Sequence, residues 1–131
     1  MAAHVAARGT SVTLHAADVR RSDALPELES RVDLVLCNPP YVPDGAAVAR
    51  EVAEHDPAEA VFGGPDGLTV IRQVVALAAE LLRPGGAVGI EHDDSQGATV
   101  PALLAADGRF GDVADHPDLA GRPRFATARR R

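Results

Sequence analysis

Cysteine, lysine and aromatic residues are scarce or absent in this sequence. One cysteine, Cys37, excludes an internal disulfide and is compatible with a reducing compartment. Because only 3% of the residues are aromatic, the core must be aliphatic, built from Val, Leu, Ile and Ala. The sequence has no signal-peptide pattern and no apolar run long enough to span a membrane. We therefore expect a cytoplasmic protein with no membrane partner.

Length and charge narrow the class of protein further. With 131 residues, of which 46% are hydrophobic, the chain suits one small folded domain rather than a disordered segment. The formal net charge of −6 argues against tight non-specific binding to nucleic acid. No direct contact with nucleic acid is therefore expected.

Segments with strand character alternate with segments of helical character. The apolar run "RVDLVLCNP" is typical of a parallel strand covered on both faces. Further strands are predicted at "SVTLHAADV", "AVGIEHD", "RFGDVADHP" and "RFATARR". Helices are predicted at "MAAHVAARG", which Gly9 closes, near residues 48–53, and at "TVPALLAADG", with Pro101 in its first turn. This alternation predicts βαβ units and a mainly parallel α/β sheet.

The clearest predicted element is the helix "LTVIRQVVALAAELLRPGG". Asp66 is expected to cap its start, and the Pro-Gly-Gly of residues 84–86 is expected to stop it. Its apolar residues recur at helical spacing, at Leu68, Ile71, Val75, Ala78 and Leu82.

Polar residues follow two of the predicted core strands. The sequence Asn-Pro-Pro-Tyr at residues 38–41, named here the NPPY turn, follows one strand, and Glu91 and His92 follow another. Ligands of open α/β sheets bind outside the carboxyl ends of the strands. We therefore expect Asn38 and Glu91 at the same edge of the sheet. The alternative interpretation of the NPPY turn is a simple stop signal for the strand.

The residues of the NPPY turn suit the recognition of a planar amino group. Proline has a fixed φ and no N–H, so the turn is stiff and its carbonyl groups can be aimed. The side-chain oxygen of Asn38 and the backbone carbonyl of Pro39 are two acceptors for the two hydrogens of an –NH₂ group. Tyr41 offers a flat face on which that group can stack. Such a site favours alkylation of an amide or aromatic amine nitrogen, because the acceptors stabilise the positive charge that grows on it.

An NPPY turn after an apolar strand resembles the amino-methyltransferases that use S-adenosylmethionine. The blocks "EHDPAEAVFGGPDGL", "LLRPGGAVGIEHDDSQG" and "DLAGRPRFATARRR" resemble the C-terminal half of the release factor glutamine methyltransferase family, especially its actinobacterial members. The resemblance implies a partial Rossmann-like methyltransferase fold, with a mainly parallel sheet and an antiparallel C-terminal strand. It also implies methylation of the glutamine side-chain amide in the Gly-Gly-Gln motif of peptide chain release factors.

The resemblance assigns roles to individual residues. Asn38, Pro39 and Tyr41 would be catalytic, and together with Pro40 they would bind the substrate glutamine. Asp18 would lie near the adenine of S-adenosylmethionine, Val19 could touch the ring, and Asn38 would also contact the cofactor.

Parts of the family pattern are missing from the sequence. The glycine-rich loop that follows the first strand, the acidic residue that ends the second strand and the N-terminal helical domain are not found. Residues 1–131 are therefore expected to be the C-terminal part of a methyltransferase catalytic domain that lacks its first two strands. The strand before the NPPY turn would then expose an edge, which favours self-association.

Two other functions stay open at this point. One is an amino-methyltransferase acting on adenine or guanine in nucleic acid, and the other is a non-catalytic fragment that serves as a binding or dimerising module. A metal site at residues 91–94 is not expected, because adjacent strand residues point to opposite faces of the sheet.

Overall fold

The computed structural model describes residues 9–45, residue 57 and residues 63–131. Within these residues, four strands form one sheet and two α-helices pack against it. The strands are β1 (Val32–Cys37), β2 (Leu82–Glu91), β3 (Phe110–Pro117) and β4 (Pro123–Arg130). The helices are α1 (Thr69–Leu81) and α2 (Thr99–Asp107), and short 3₁₀ turns lie at Pro26–Leu28 and Asp94–Gln96.

The sheet is mixed and has the strand order β1-β2-β4-β3. β1 and β2 are parallel and are connected through α1, whereas β4 runs antiparallel to both β2 and β3. The predicted α/β class and the predicted antiparallel C-terminal strand are confirmed. Both predicted strands that follow α2 are present, as β3 and β4.

Helix α1 forms where the apolar periodicity predicted it. Ile71, Val75 and Ala78 are buried against the sheet, as the helical spacing of apolar residues requires. The predicted cap is wrong: Leu68 is the N-cap residue and no side chain caps the helix, although the carboxylate of Asp66 accepts a hydrogen bond of 3.0 Å from the Leu68 backbone N–H just before it. Helix α2 matches its prediction and ends at Asp107, followed by the C-cap residue Gly108, whose φ of 80° suits glycine.

The predicted end of α1 is wrong by several residues. The helix ends at Leu81, and Leu82 already has an extended backbone with ψ at 133°. Residues 84–86 lie inside β2, where the pairing with β1 shifts between Leu82 and Ala87. The Pro-Gly-Gly segment therefore forms an irregularity within β2, because the chain already pairs with β1 at Leu82, before the proline.

The core lies on one face of the sheet, between the four strands and the two helices. Burial of β1 on both faces was expected and is wrong, since Leu34 is 53% exposed and Leu36 is 75% exposed. These leucines lie on the face opposite α1. No element among the described residues covers that face of β1.

The predicted strand "SVTLHAADV" is not formed, and this prediction is wrong. Its residues have no strand pairing, and Leu14 is 89% exposed. β-branched residues favour an extended backbone, but a strand also needs a neighbour that supplies hydrogen bonds. Gly9 has a φ of 79°, as a helix-closing glycine would, but the helices predicted before it and at residues 48–53 fall outside the described residues.

Candidate functional site

The NPPY turn and Glu91 meet at one edge of the sheet. Cys37 of β1 is paired with Ile90 of β2, so Asn38 and Glu91 leave the sheet side by side. The Tyr41 hydroxyl donates a hydrogen bond of 2.8 Å to the Glu91 carboxylate. The predicted proximity of Asn38 and Glu91 is therefore confirmed.

A cavity of about 400 Å³ opens beside the turn. Asn38 is exposed and lines it, whereas Pro39 is buried and anchors the turn against the protein. Most of the wall is apolar, and two charged groups, Glu91 and Arg124, face the same space. The lining residues are Leu36, Cys37, Asn38, Gly89, Glu91, Arg124 and Phe125. The cavity thus combines an accessible amide with an apolar wall, as a small ligand site requires.

Tyr41 is held as a neutral hydrogen-bond donor. Partial burial raises the pKa of its phenol, and the adjacent Glu91 carboxylate raises that pKa further because it accepts a hydrogen bond from the neutral phenol and repels a phenolate. The positive charge of Arg124 lowers the pKa to a smaller extent. The phenol therefore stays protonated at neutral pH, and its O–H donates a hydrogen bond to Glu91.

A glycine-rich turn, residues 63–67, packs against the backbone of the NPPY turn. A Cβ atom at Gly63 would overlap the Pro40 carbonyl oxygen, and one at Gly67 would overlap the Tyr41 carbonyl oxygen. The Gly63 N–H donates to the Val42 carbonyl at 2.8 Å. These glycines permit close backbone packing.

Two buried polar residues of the site region make contacts that were not predicted from the sequence. His92 is fully buried, with Nε2 at 2.5 Å from Asp115 Oδ1 and Nδ1 at 2.7 Å from the Asp93 carbonyl oxygen. Gln96 is 4% exposed, and its side-chain amide donates to the Tyr41 carbonyl oxygen at 3.1 Å. The Asp-x-x-Gln spacing of residues 93–96 is a capping-box pattern and could have revealed Gln96. No local signal pairs His92 with Asp115.

The structure does not bring Asp18 to this cavity. Its carboxylate accepts three hydrogen bonds from the Arg20 guanidinium, from Nε to Oδ1 at 2.9 Å and to Oδ2 at 3.2 Å and from Nη2 to Oδ2 at 2.8 Å. This pairing lowers the pKa of the exposed Asp18 carboxyl to about 2. Val19 lines a separate apolar cavity of about 190 Å³ between β1 and α1, which shares Leu36 and Cys37 with the first one.

Two further properties follow from the described part of the chain. None of its clusters of His, Cys, Asp and Glu side chains brings together the three that a metal ion would need. None of its helices has the length and apolar character needed to cross a membrane.

The fold of the described residues matches part of a solved α/β structure. A chain of the E. cuniculi Mtq2–Trm112 complex, described as responsible for methylation of the translation termination factor eRF1, superposes with a TM-score of 0.51. The superposition covers 85% of this chain and 60% of that one at 21% identity, so it supports the fold alone. The predicted partial Rossmann-like methyltransferase fold is confirmed.

Sequence relatives of the chain are named as methyltransferases. A release factor glutamine methyltransferase of Mycolicibacterium smegmatis is 57% identical over 124 residues, which is 95% of this chain and 44% of that protein. The 4-amino-L-phenylalanine/4-methylamino-L-phenylalanine methyltransferase of Streptomyces pristinaespiralis is 47% identical over 85% of this chain and 38% of its own length. No family model matches the chain. By sequence, the chain is similar over nearly all of its length to a release factor glutamine methyltransferase, and it spans less than half the length of these curated relatives.

Proposed function

We propose that this chain is part of an enzyme that methylates the side-chain amide nitrogen of a glutamine. The substrate would be the glutamine of the Gly-Gly-Gln motif in a peptide chain release factor. One observation carries the proposal: the NPPY turn lies beside Glu91 at the carboxyl ends of two parallel strands, with Asn38 facing a cavity. The 57% identity to a release factor glutamine methyltransferase supports the same substrate.

The chemistry of the amide explains the choice of residues. An amide nitrogen is a poor nucleophile because its lone pair is shared with the carbonyl group. The Asn38 side-chain oxygen and the Pro39 carbonyl would each accept one N–H hydrogen and hold the nitrogen in one orientation. Both acceptors would stabilise the positive charge that develops on the nitrogen during attack. Pro40 would keep the turn stiff, and Tyr41 would pack against the planar amide.

S-adenosylmethionine would supply the methyl group when bound. The described residues fit this cofactor only in part, because no glycine-rich loop among them follows a strand, and Asp18 pairs with Arg20 instead of facing the cavity. We propose Asp18, Val19 and Asn38 as the cofactor contacts that this chain contributes. Within the proposal, residues 1–131 correspond to the C-terminal part of a cytoplasmic methyltransferase catalytic domain.

The proposal is tested with a longer relative that carries the same NPPY turn. The protein, S-adenosylmethionine and a release factor are incubated, and the Gly-Gly-Gln peptide is analysed by mass spectrometry. We expect one added methyl group on the glutamine. A release factor with asparagine in place of that glutamine is the control and should stay unmodified. Absence of methylation on the glutamine would refute the proposal.

Methylation of an aromatic amine is the second candidate function. The Streptomyces pristinaespiralis relative, named as a methyltransferase of 4-amino-L-phenylalanine, is 47% identical to the chain. An aromatic amine also shares its lone pair with a π-system, so the two acceptors of the NPPY turn suit it equally well. A competition between the release factor and 4-amino-L-phenylalanine distinguishes the two substrates. No observation favours methylation of nucleic-acid bases over either.

A further inference from the structure

Gln96 is a buried primary amide directly behind the NPPY turn. It is 4% exposed and ends the 3₁₀ turn Asp94–Gln96, which follows β2. A primary amide has one carbonyl acceptor and two N–H donors, and burial of these groups without partners costs free energy. The hydrogen-bond partners of Gln96 therefore identify the segments of the chain that its side chain positions.

The amide of Gln96 connects three separate segments of the chain. Its oxygen Oε1 accepts a hydrogen bond from the Asp93 backbone N–H at 2.9 Å. Its nitrogen Nε2 donates to the Tyr41 carbonyl oxygen at 3.1 Å and to the Asp66 carbonyl oxygen at 3.4 Å. The end of β2, the NPPY turn and the glycine-rich turn before α1 are thus joined at one side chain.

The surrounding backbone is packed closely around this amide. A Cβ atom at Gly67 would lie 2.7 Å from Gln96 Nε2 and would overlap the Tyr41 carbonyl oxygen. Gly67 also has a φ of 74°, which suits glycine. The Tyr41 carbonyl therefore has little room to turn away from Gln96.

Tyr41 is held from two sides, its carbonyl by Gln96 and its hydroxyl by Glu91. The two prolines before it have a fixed φ, so the orientation of the Tyr41 peptide group restrains the whole turn. We propose that Gln96 is a positioning residue, whose amide sets the direction in which Asn38 and Pro39 present their acceptors. What these acceptors bind rests on the proposed function, but the hold on Tyr41 does not.

The chain offers a specific spectroscopic probe for this proposal. Tyr41 is its sole tyrosine, and it contains no tryptophan, so the absorbance change on phenol ionisation reports on Tyr41 alone. Gln96→Met keeps a similar side-chain volume but removes all three hydrogen bonds. We expect its Tyr41 ionisation midpoint to move towards that of free tyrosine by about half a pH unit or more. Gln73→Met, at an exposed position of α1, is the matched control and should leave the midpoint unchanged.

A measurement on the unmodified protein covers the case in which Gln96→Met does not fold. Both Nε2 hydrogens of Gln96 should exchange with solvent at least about tenfold more slowly than those of Gln73. Equal exchange rates, or a Tyr41 midpoint that a folded Gln96→Met variant leaves unchanged, would overturn the proposal. Neither measurement involves methyl transfer, so failure here leaves the proposed function standing. Failure of the methylation assay likewise leaves the hold on Tyr41 intact.

Discussion

Tyr41 donates a 2.8 Å hydrogen bond to Glu91, although 50 residues separate them along the chain. The bond joins the carboxyl end of β1 to that of β2 on the cavity side of the sheet. It is possible because parallel pairing places Cys37 opposite Ile90, so the segments that follow β1 and β2 leave the sheet at the same level. The geometry of the NPPY turn therefore depends on a residue from a neighbouring strand.

Glu91→Gln should lower the pKa of Tyr41. Burial and the Glu91 carboxylate both raise this pKa, and the variant removes the carboxylate charge while burial remains. The pKa should thus fall but stay above that of free tyrosine, as followed by the phenolate absorbance. Asp112→Asn, an acid-to-amide change at the other end of the sheet, is the control. An unchanged midpoint in Glu91→Gln would show that the hydrogen bond is not populated in solution.

The stability of the fold should decline in alkaline solution through two groups. The chain contains no lysine, and among the described residues burial raises the pKa of Cys37 and of Tyr41. A raised folded-state pKa contributes stability below the unfolded-state value that is lost as pH rises through the folded-state value. The free energy of unfolding should therefore fall above about pH 9 for Cys37 and above about pH 10 for Tyr41. Urea denaturation of Cys37→Ala and Tyr41→Phe should show a smaller fall, whereas an unaltered pH profile would contradict both assignments.

Asn38→Ala should reduce methyl transfer strongly in a longer relative that carries the NPPY turn. Loss of one oriented acceptor costs about 3 kcal/mol at the transition state, or about 100-fold in kcat. Cofactor affinity should fall much less, because Asn38 is only one of several proposed cofactor contacts. Asn38→Asp keeps an acceptor oxygen and should retain more activity than Asn38→Ala. Single-turnover kinetics measure the rate of methyl transfer, and a cofactor titration measures the affinity for S-adenosylmethionine. Equal turnover of the wild type and Asn38→Ala would eliminate the acceptor role.

The 131-residue chain should bind S-adenosylmethionine weakly, with a dissociation constant above about 100 μM. The cofactor would need backbone N–H groups from a glycine-rich loop, and the described residues provide only part of the surrounding site. Isothermal titration calorimetry measures the affinity, and S-adenosylhomocysteine is a suitable second ligand. Micromolar binding would show that the cofactor site has been placed wrongly.

The chain should self-associate through β1. This strand lies at one edge of the sheet, with Leu34 and Leu36 exposed on the uncovered face. Leu36→Lys should lower the sedimentation coefficient at a given concentration, because a charge on this face opposes pairing. Leu119→Lys, at an even more exposed position between β3 and β4, should not. A monomer that neither substitution changes would rule out association through this strand.

The sequence predicted the elements whose formation depends on residues close together in the chain. Helix α1 follows from the spacing of Ile71, Val75 and Ala78, and the proximity of Asn38 and Glu91 follows from the rule that parallel strands end at one edge. The predicted strand at residues 11–19 failed because pairing depends on a neighbour that no local pattern describes. The exposure of Leu36 has the same origin, since burial of a strand face is decided by what packs on it.

The position of β4 has a consequence for the order of folding. β4 comes last of the four strands along the chain, yet it lies between β2 and β3 in the sheet. During synthesis, β3 emerges from the ribosome before the strand that would connect it to β2. β3 therefore cannot join the sheet until residues 123–130 have left the exit tunnel. Pairing of the four strands is completed only after β4 has emerged.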